Sequence, residues 1–101
     1  MEVTEAQLEW TLSHRSSVVI FFHSPLCGTC RLARRMLSIT VQSLPGLSVL
    51  AADLNVMPDQ AHRWEVESVP CLLIVRNGEP VEKMYAFHSV SHLYDRLQHL
   101  R

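Results

Sequence analysis

Hydrophobic residues recur along this chain first at helical and then at strand spacing. Thr4 and Gln7 stand at capping-box distance with Val3 and Leu8 placed as the flanking staple, so a first helix is expected from Thr4 to about His14. Ser16-Ser17 ends it. Val18-Val19-Ile20-Phe21-Phe22 is then an unbroken apolar run of strand length, the pattern of a strand covered on both faces inside a parallel sheet. After Pro25, residues Cys30, Ala33, Met36, Leu37, Val41 and Leu44 fall on one helical stripe, with Arg31, Arg34 and Arg35 between them. Pro45-Gly46 stops that helix. Leu47–Asp53 reads as a second strand, parallel to the first by the usual crossover handedness. A short helix is expected over Pro58–Glu65, with proline in its first turn. Cys71-Leu72-Leu73-Ile74-Val75 forms a third strand, Asn77-Gly78 a two-residue hairpin turn, and Val81–Tyr85 the returning strand. Pro80 suits an edge position there. Ser89 can cap a final helix whose residues Val90, Leu93, Tyr94, Leu97 and Leu100 share a face.

The resulting order, α, β, α, β, α, β, β, α, predicts an α/β fold: one mixed sheet with helices on both faces. A chain of 101 residues fits a single domain over residues 1–101, and 48 % hydrophobic content supports a packed core. No repeat, linker or low-complexity tract interrupts it. With 9 basic and 10 acidic residues and a formal net charge of −1, the chain lacks the basic footprint of a nucleic-acid binder. Met1-Glu2-Val3-Thr4-Glu5 is acidic and does not lead into the roughly 7–15 apolar residues of a secretory signal. No stretch reaches the ~18 apolar residues of a membrane span. The expectation is a cytoplasmic protein without membrane contact. Three cysteines are too few for a disulfide scaffold, so a close pair in a reducing compartment points to redox or metal chemistry.

That pair is Cys27-Gly28-Thr29-Cys30, placed where a strand gives way to a helix. A thiol attacks a disulfide only as its thiolate, a minor species at neutral pH for a free cysteine of pKa about 8.5. A helix start offers unpaired backbone N–H groups and the positive end of the dipole, both of which favour the anion. Two intervening residues bring the sulfurs within bonding reach, with Cys27 at the exposed tip and Cys30 a turn deeper on the buried stripe. Cys27 would therefore attack a substrate disulfide, and Cys30 would displace the reduced product. The competing reading is half of a metal site. It requires further ligands, of which Cys71 is the one remaining cysteine, and histidines would have to complete the set.

A second motif, Val69-Pro70-Cys71, gives the chain a family likeness. Phe22-x-x-Pro25-x-Cys27-Gly28-x-Cys30, Val69-Pro70, Leu72-Leu73-Ile74-Val75 and Asn77-Gly78-Glu79 together resemble the active-site segment, cis-proline pair, strand and hairpin of thioredoxins, over nearly the whole chain. The resemblance implies a thioredoxin-like fold of about four strands and a cis Pro70 facing the cysteines. It also implies substrate contacts at Leu26, Gly28, Thr29, Val69 and Pro70, the backbone of Val69 pairing with an extended substrate segment. It implies a disulfide oxidoreductase without a cofactor or metal, acting on protein disulfides. Its reductant would be an enzyme of the thioredoxin-reductase type or a low-molecular-weight thiol. A binding or redox-sensing module of the same fold, with metal on Cys27, Cys30 and Cys71, is the alternative. Nothing in the sequence demands more than a monomer.

Departures from the family are equally specific. Leu26 replaces the usual tryptophan and Thr29 the usual proline, while Phe21 stands where a buried aspartate is usual and Asp53 where its lysine partner is. Asp53 is therefore the candidate acceptor for the proton of Cys30. The extra first strand of the family is missing, which leaves Leu47–Asp53 at a sheet edge unless Met1–Val3 covers it. Cys71 reads as a packed small hydrophobe or a third redox thiol. His23 reads as a rim residue able to tune the thiolate, and Arg34 and Arg35 as a solvated helix face. Trp10, Trp64, Met36, Met57 and Met84 read as packing residues.

Overall fold

A computed structural model describes residues 1–100. Its elements are α1 (Glu5–His14), β1 (Ser17–His23), α2 (Gly28–Gln42), β2 (Val49–Asp53), α3 (Pro58–Arg63), β3 (Cys71–Arg76), β4 (Glu79–Met84) and α4 (Val90–Leu97), closed by a 3₁₀ turn over Gln98–Leu100. The capping box forms as the spacing requires: Thr4 Oγ1 accepts the Gln7 N–H at 3.2 Å, and Gln7 Oε1 accepts the Thr4 N–H at 2.8 Å. The turn at Asn77-Gly78 has positive φ at both residues, 53° and 83°, as a two-residue hairpin demands. Asn tolerates this backbone and Gly adopts it freely.

The four strands run in the order β2-β1-β3-β4. β1 and β2 are parallel, while β3 is antiparallel to both β1 and β4. Alternate residues of the central strands feed two apolar layers. Val19, Phe21, Leu72 and Ile74 pack with α2 and α4 on one face. Val18, Ile20, Phe22, Cys71, Leu73 and Val75 pack with Leu8, Ala61 and Trp64 on the other. Burial on both faces explains why β1 and β3 carry unbroken apolar runs.

Several element boundaries and one packing assignment differ from expectation. β2 starts at Val49, with Leu47 buried in the loop before it. α3 ends at Arg63 because Glu65 takes a positive φ of 55° that a helix cannot continue. β4 starts earlier, at Glu79, and a register shift at Ile74/Val75 absorbs the extra residue. Trp10 is 59 % exposed rather than packed, because Leu8 is the buried residue of α1. β2 is an edge strand, and Met1–Val3 does cover it in part. Val3 N–H donates to Ala51 O at 3.0 Å and Ala51 N–H to Met1 O at 2.7 Å, a single parallel bridge where a full strand is missing.

Candidate active site

The carboxyl end of β1 and the first turn of α2 build the site. Ser24-Pro25-Leu26 carries the chain out of the sheet, and Cys27 becomes the N-cap of α2 with extended backbone angles. An N-cap normally presents an oxygen to the free N–H groups of the first turn. Here the acceptor is sulfur: Cys30 N–H donates to Cys27 Sγ at 3.1 Å, and Thr29 Oγ1 lies 3.3 Å from the same sulfur. The Cα atoms of Cys27 and Cys30 are 5.2 Å apart, and their sulfurs are at disulfide distance. Cys27 is half-buried, whereas Cys30 is only 4 % exposed and packs into the α2 layer. The two sulfurs thus differ in access as the helical stripe requires.

Across from them runs the segment before β3. The Val69–Pro70 peptide bond is cis, and Val69 O lies 4.0 Å from Cys27 Sγ. Leu26 is 94 % exposed, and Gly28 and Thr29 are exposed beside it. Thr29, Leu32, Met36, Pro70, Tyr85 and Phe87 line a groove of about 310 Å³ alongside the pair. Its lining is largely apolar.

Cys71 lies elsewhere. It pairs with Phe22 in the sheet register and points into the α1/α3 layer, on the opposite face from Cys30. Burial pushes its thiol up to about 11, only partly offset by the charge of Lys83. Among the described residues, no three His, Cys, Asp or Glu side chains are grouped to hold a metal ion.

Asp53 ends β2 beside His23, its register partner on β1. Asp53 Oδ1 accepts the Asn55 N–H at 2.9 Å, and Asn55 Nδ2 donates to Ser24 Oγ at 3.1 Å, which ties this turn to the loop before the cysteines. His23 stacks on Phe21 at 5.5 Å between ring centroids, with a side chain only 12 % exposed. Glu2 reaches over from the amino-terminal bridge. Its Oε2 lies 2.8 Å from His23 Nε2, and its Oε1 accepts from Arg34 Nη2 at 2.9 Å. Burial raises the Glu2 carboxyl, but hydrogen bonds and charge from His23 and Arg34 more than offset this and hold it below the usual value. Arg34 is therefore not a solvated bystander, while Arg31 and Arg35 are exposed.

Sequence reasoning missed Glu2, the ion-paired state of Arg34, and Phe87, which packs edge-on against Phe21 at 5.9 Å. Glu2 and Arg34 are separated by 32 positions, and only their residue types could have hinted at the pair.

The thioredoxin family model matches residues 1–99. The chain is 40 % identical over 80 residues to the thioredoxin-like protein YusE of Bacillus subtilis, covering 79 % of this chain and 76 % of that one. It is 27 % identical over 84 residues to an H-type thioredoxin of Ricinus communis, covering 83 % and 71 %. Among solved structures, a mutant thioredoxin from Halobacterium salinarum superposes with a TM-score of 0.82 at 22 % identity, covering 98 % of this chain and 88 % of that one. Mitochondrial thioredoxin 3 of Saccharomyces cerevisiae gives 0.80 at 20 %, covering 98 % and 93 %.

Proposed function

The chain belongs to the thioredoxin family, and from that premise we propose that it reduces or exchanges disulfides in other proteins, with Cys27 attacking and Cys30 resolving. A thiol–disulfide oxidoreductase needs a pair of cysteines that can close and reopen one bond, and Cys27 and Cys30 stand at that distance. The observation that carries the assignment of roles is the N-cap position of Cys27. The Cys30 N–H and the α2 dipole converge on the more accessible sulfur, where a thiolate is needed, while Cys30 stays buried.

In the first step the Cys27 thiolate attacks one sulfur of a substrate disulfide. The substrate S–S bond breaks, a Cys27–substrate disulfide forms, and the departing thiolate takes a proton from solvent. An extended substrate segment lies along Val69-Pro70, its backbone paired with Val69, and contacts Leu26, Gly28 and Thr29. In the second step Cys30 loses its proton and attacks Cys27 Sγ, which frees the second substrate thiol and leaves the Cys27–Cys30 disulfide. Asp53 and His23 are register partners at this end of the sheet, the titratable groups where β2 and β1 end. An external reductant, either a thioredoxin-reductase-type enzyme or a small thiol, reopens the bond. The protein works in this reading as a cytoplasmic monomer without metal or cofactor.

Turnover of a protein disulfide tests the proposal. Insulin reduction driven by dithiothreitol should be accelerated by catalytic amounts of the wild-type protein and lost in C27S. A wild-type rate equal to that of dithiothreitol alone would overturn it.

A further inference from the structure

On the side of the cysteine pair away from the apolar groove is a second cleft, of about 240 Å³. His23, Ser24, Pro25, Cys30, Arg31 and Arg34 line it. Cys30 is otherwise sealed in the α2 layer, in the cluster that contains Phe21. Phe21 is fully buried on the same face of β1, so the interior beneath the resolving thiol is apolar and offers a proton nothing to bind. The cleft is wide enough for water, and of the residues lining it His23 is the one that can accept a proton near neutral pH. Asp53 is not part of its wall, and one oxygen of its carboxylate is occupied by the Asn55 N–H.

We propose that His23, oriented by Glu2, receives the proton of Cys30 when that thiol resolves the mixed disulfide. The inference rests on Cys30 being the resolving thiol. With Nε2–H donating to Glu2 Oε2, the neutral ring keeps its lone pair on Nδ1, and the Glu2 carboxylate stabilises the imidazolium as it forms. The proton passes from Cys30 Sγ through water in the cleft to the ring. The Cys30 thiolate then attacks Cys27 Sγ, the Cys27–substrate bond breaks, and the leaving substrate thiolate recovers the proton from the imidazolium. No electron leaves the three sulfurs involved.

The charged and titratable surroundings of His23 are Glu2 from the amino-terminal segment, Cys30, Arg31 and Arg34 from α2, and Asp53 from β2. Arg34 Nη2 lies 3.2 Å from His23 Nε2, a contact between two donors in this tautomer, and the Glu2 carboxylate accepts from both. The short amino-terminal bridge to Ala51 thus has a chemical use. It anchors the carboxylate that orients the histidine.

A pH jump isolates this step. Reduced protein is loaded at acidic pH with thionitrobenzoate on Cys27, and its release is followed by stopped flow after mixing to higher pH. In H23Q, release at neutral pH should slow by about tenfold or more, the low end of what a positioned base contributes. Its pH profile should lose the inflection in the imidazole range, and the gap to wild type should close at alkaline pH. In E2Q release at neutral pH should also slow, with the gap to wild type again closing at alkaline pH, because the ring has lost the carboxylate that orients it. A purely structural role for either side chain would slow release alike at every pH. Wild-type release and pH profile in H23Q would overturn the proposal. If D53N rather than H23Q removes the neutral-pH phase, Asp53 is the acceptor and the proposal is equally overturned. Should H23Q fail to fold, E2Q carries the test, and wild-type release at neutral pH there refutes it. Failure to load thionitrobenzoate on Cys27 at all would instead reject the assignment of the attacking thiol.

Discussion

Replacing Thr29 by valine removes one hydroxyl from beside Cys27 Sγ and little else. Thr29 is exposed in the first turn of α2, and valine preserves its shape and β-branching. Its Oγ1 lies 3.3 Å from Cys27 Sγ, and the other donor in reach is the Cys30 N–H at 3.1 Å. A hydrogen bond to a charged group contributes about 1.5–3 kcal/mol when protected from water. Solvent access at Thr29 halves that to about 0.75–1.5 kcal/mol, since water can replace part of the lost bond. By the 1.36 kcal/mol per pKa unit, the acid constant of Cys27 should fall about four- to thirteenfold, and the thiolate population at neutral pH by up to that factor. Alkylation of reduced Cys27 by iodoacetamide, followed across pH, reads this directly. T29V should react more slowly at neutral pH, reach the same plateau at alkaline pH, and show its midpoint displaced upward. T29S should restore the wild-type curve. Because the reduced form loses stabilisation, the Cys27/Cys30 couple should also become more reducing. Identical profiles for T29V and wild type would show that the hydroxyl does not solvate the sulfur.

Three further outcomes follow from burial and charge. With its thiol pushed from 9.0 to about 11, Cys71 should carry about a hundredfold less thiolate than an ordinary cysteine, and peptide mapping of the alkylated, reduced protein should find it modified at least that much more slowly than Cys27. Comparable rates would contradict its placement in the α1/α3 layer. F21A, at a fully buried site packed against Phe87, should lower unfolding stability in urea by about 3–5 kcal/mol, and a loss under about 1 kcal/mol would contradict that packing. The hydrogen bond from Gln60 and the charge of Arg63 hold the folded-state Glu9 carboxyl below 4.5, although burial acts the other way. A lowered folded value means stability that is present above the unfolded pKa and lost as pH falls through the folded one. E9Q should therefore lose less stability than wild type on acidification below about pH 4.5, and parallel acid limbs would refute the coupling.

Local chemistry made the frame legible. Thr4 with Gln7, the continuous run Val18–Phe22, the stripe from Cys30 to Leu44 and the Asn77-Gly78 turn each have a single low-energy local solution, and the elements form where those signals stand. Signals that depend on a distant partner were not legible. Arg34 looks like any solvated arginine until Glu2 is bridged to Ala51 and brought beside it. Trp10 reads as core by residue type alone, yet α1 turns only Leu8 fully inward. β3 is covered on both sides, so alternation could not tell which layer Cys71 enters; its register with Phe22 decides that. At the site, the spacing of Cys27 and Cys30 carried their separate depths. That Glu2, His23 and Arg34 come together beside them depended on where β1, α2 and the first three residues meet.

Trapping the covalent intermediate bears most directly on the account. C30S removes the buried thiol but leaves Cys27 at the N-cap, so incubation with a disulfide-containing protein should accumulate a mixed disulfide that peptide mass spectrometry locates on Cys27. Dithiothreitol should release it, and C27S should form none. An adduct on Cys71, or none on Cys27 while wild type still reduces the same substrate, would contradict the mechanism at its first step.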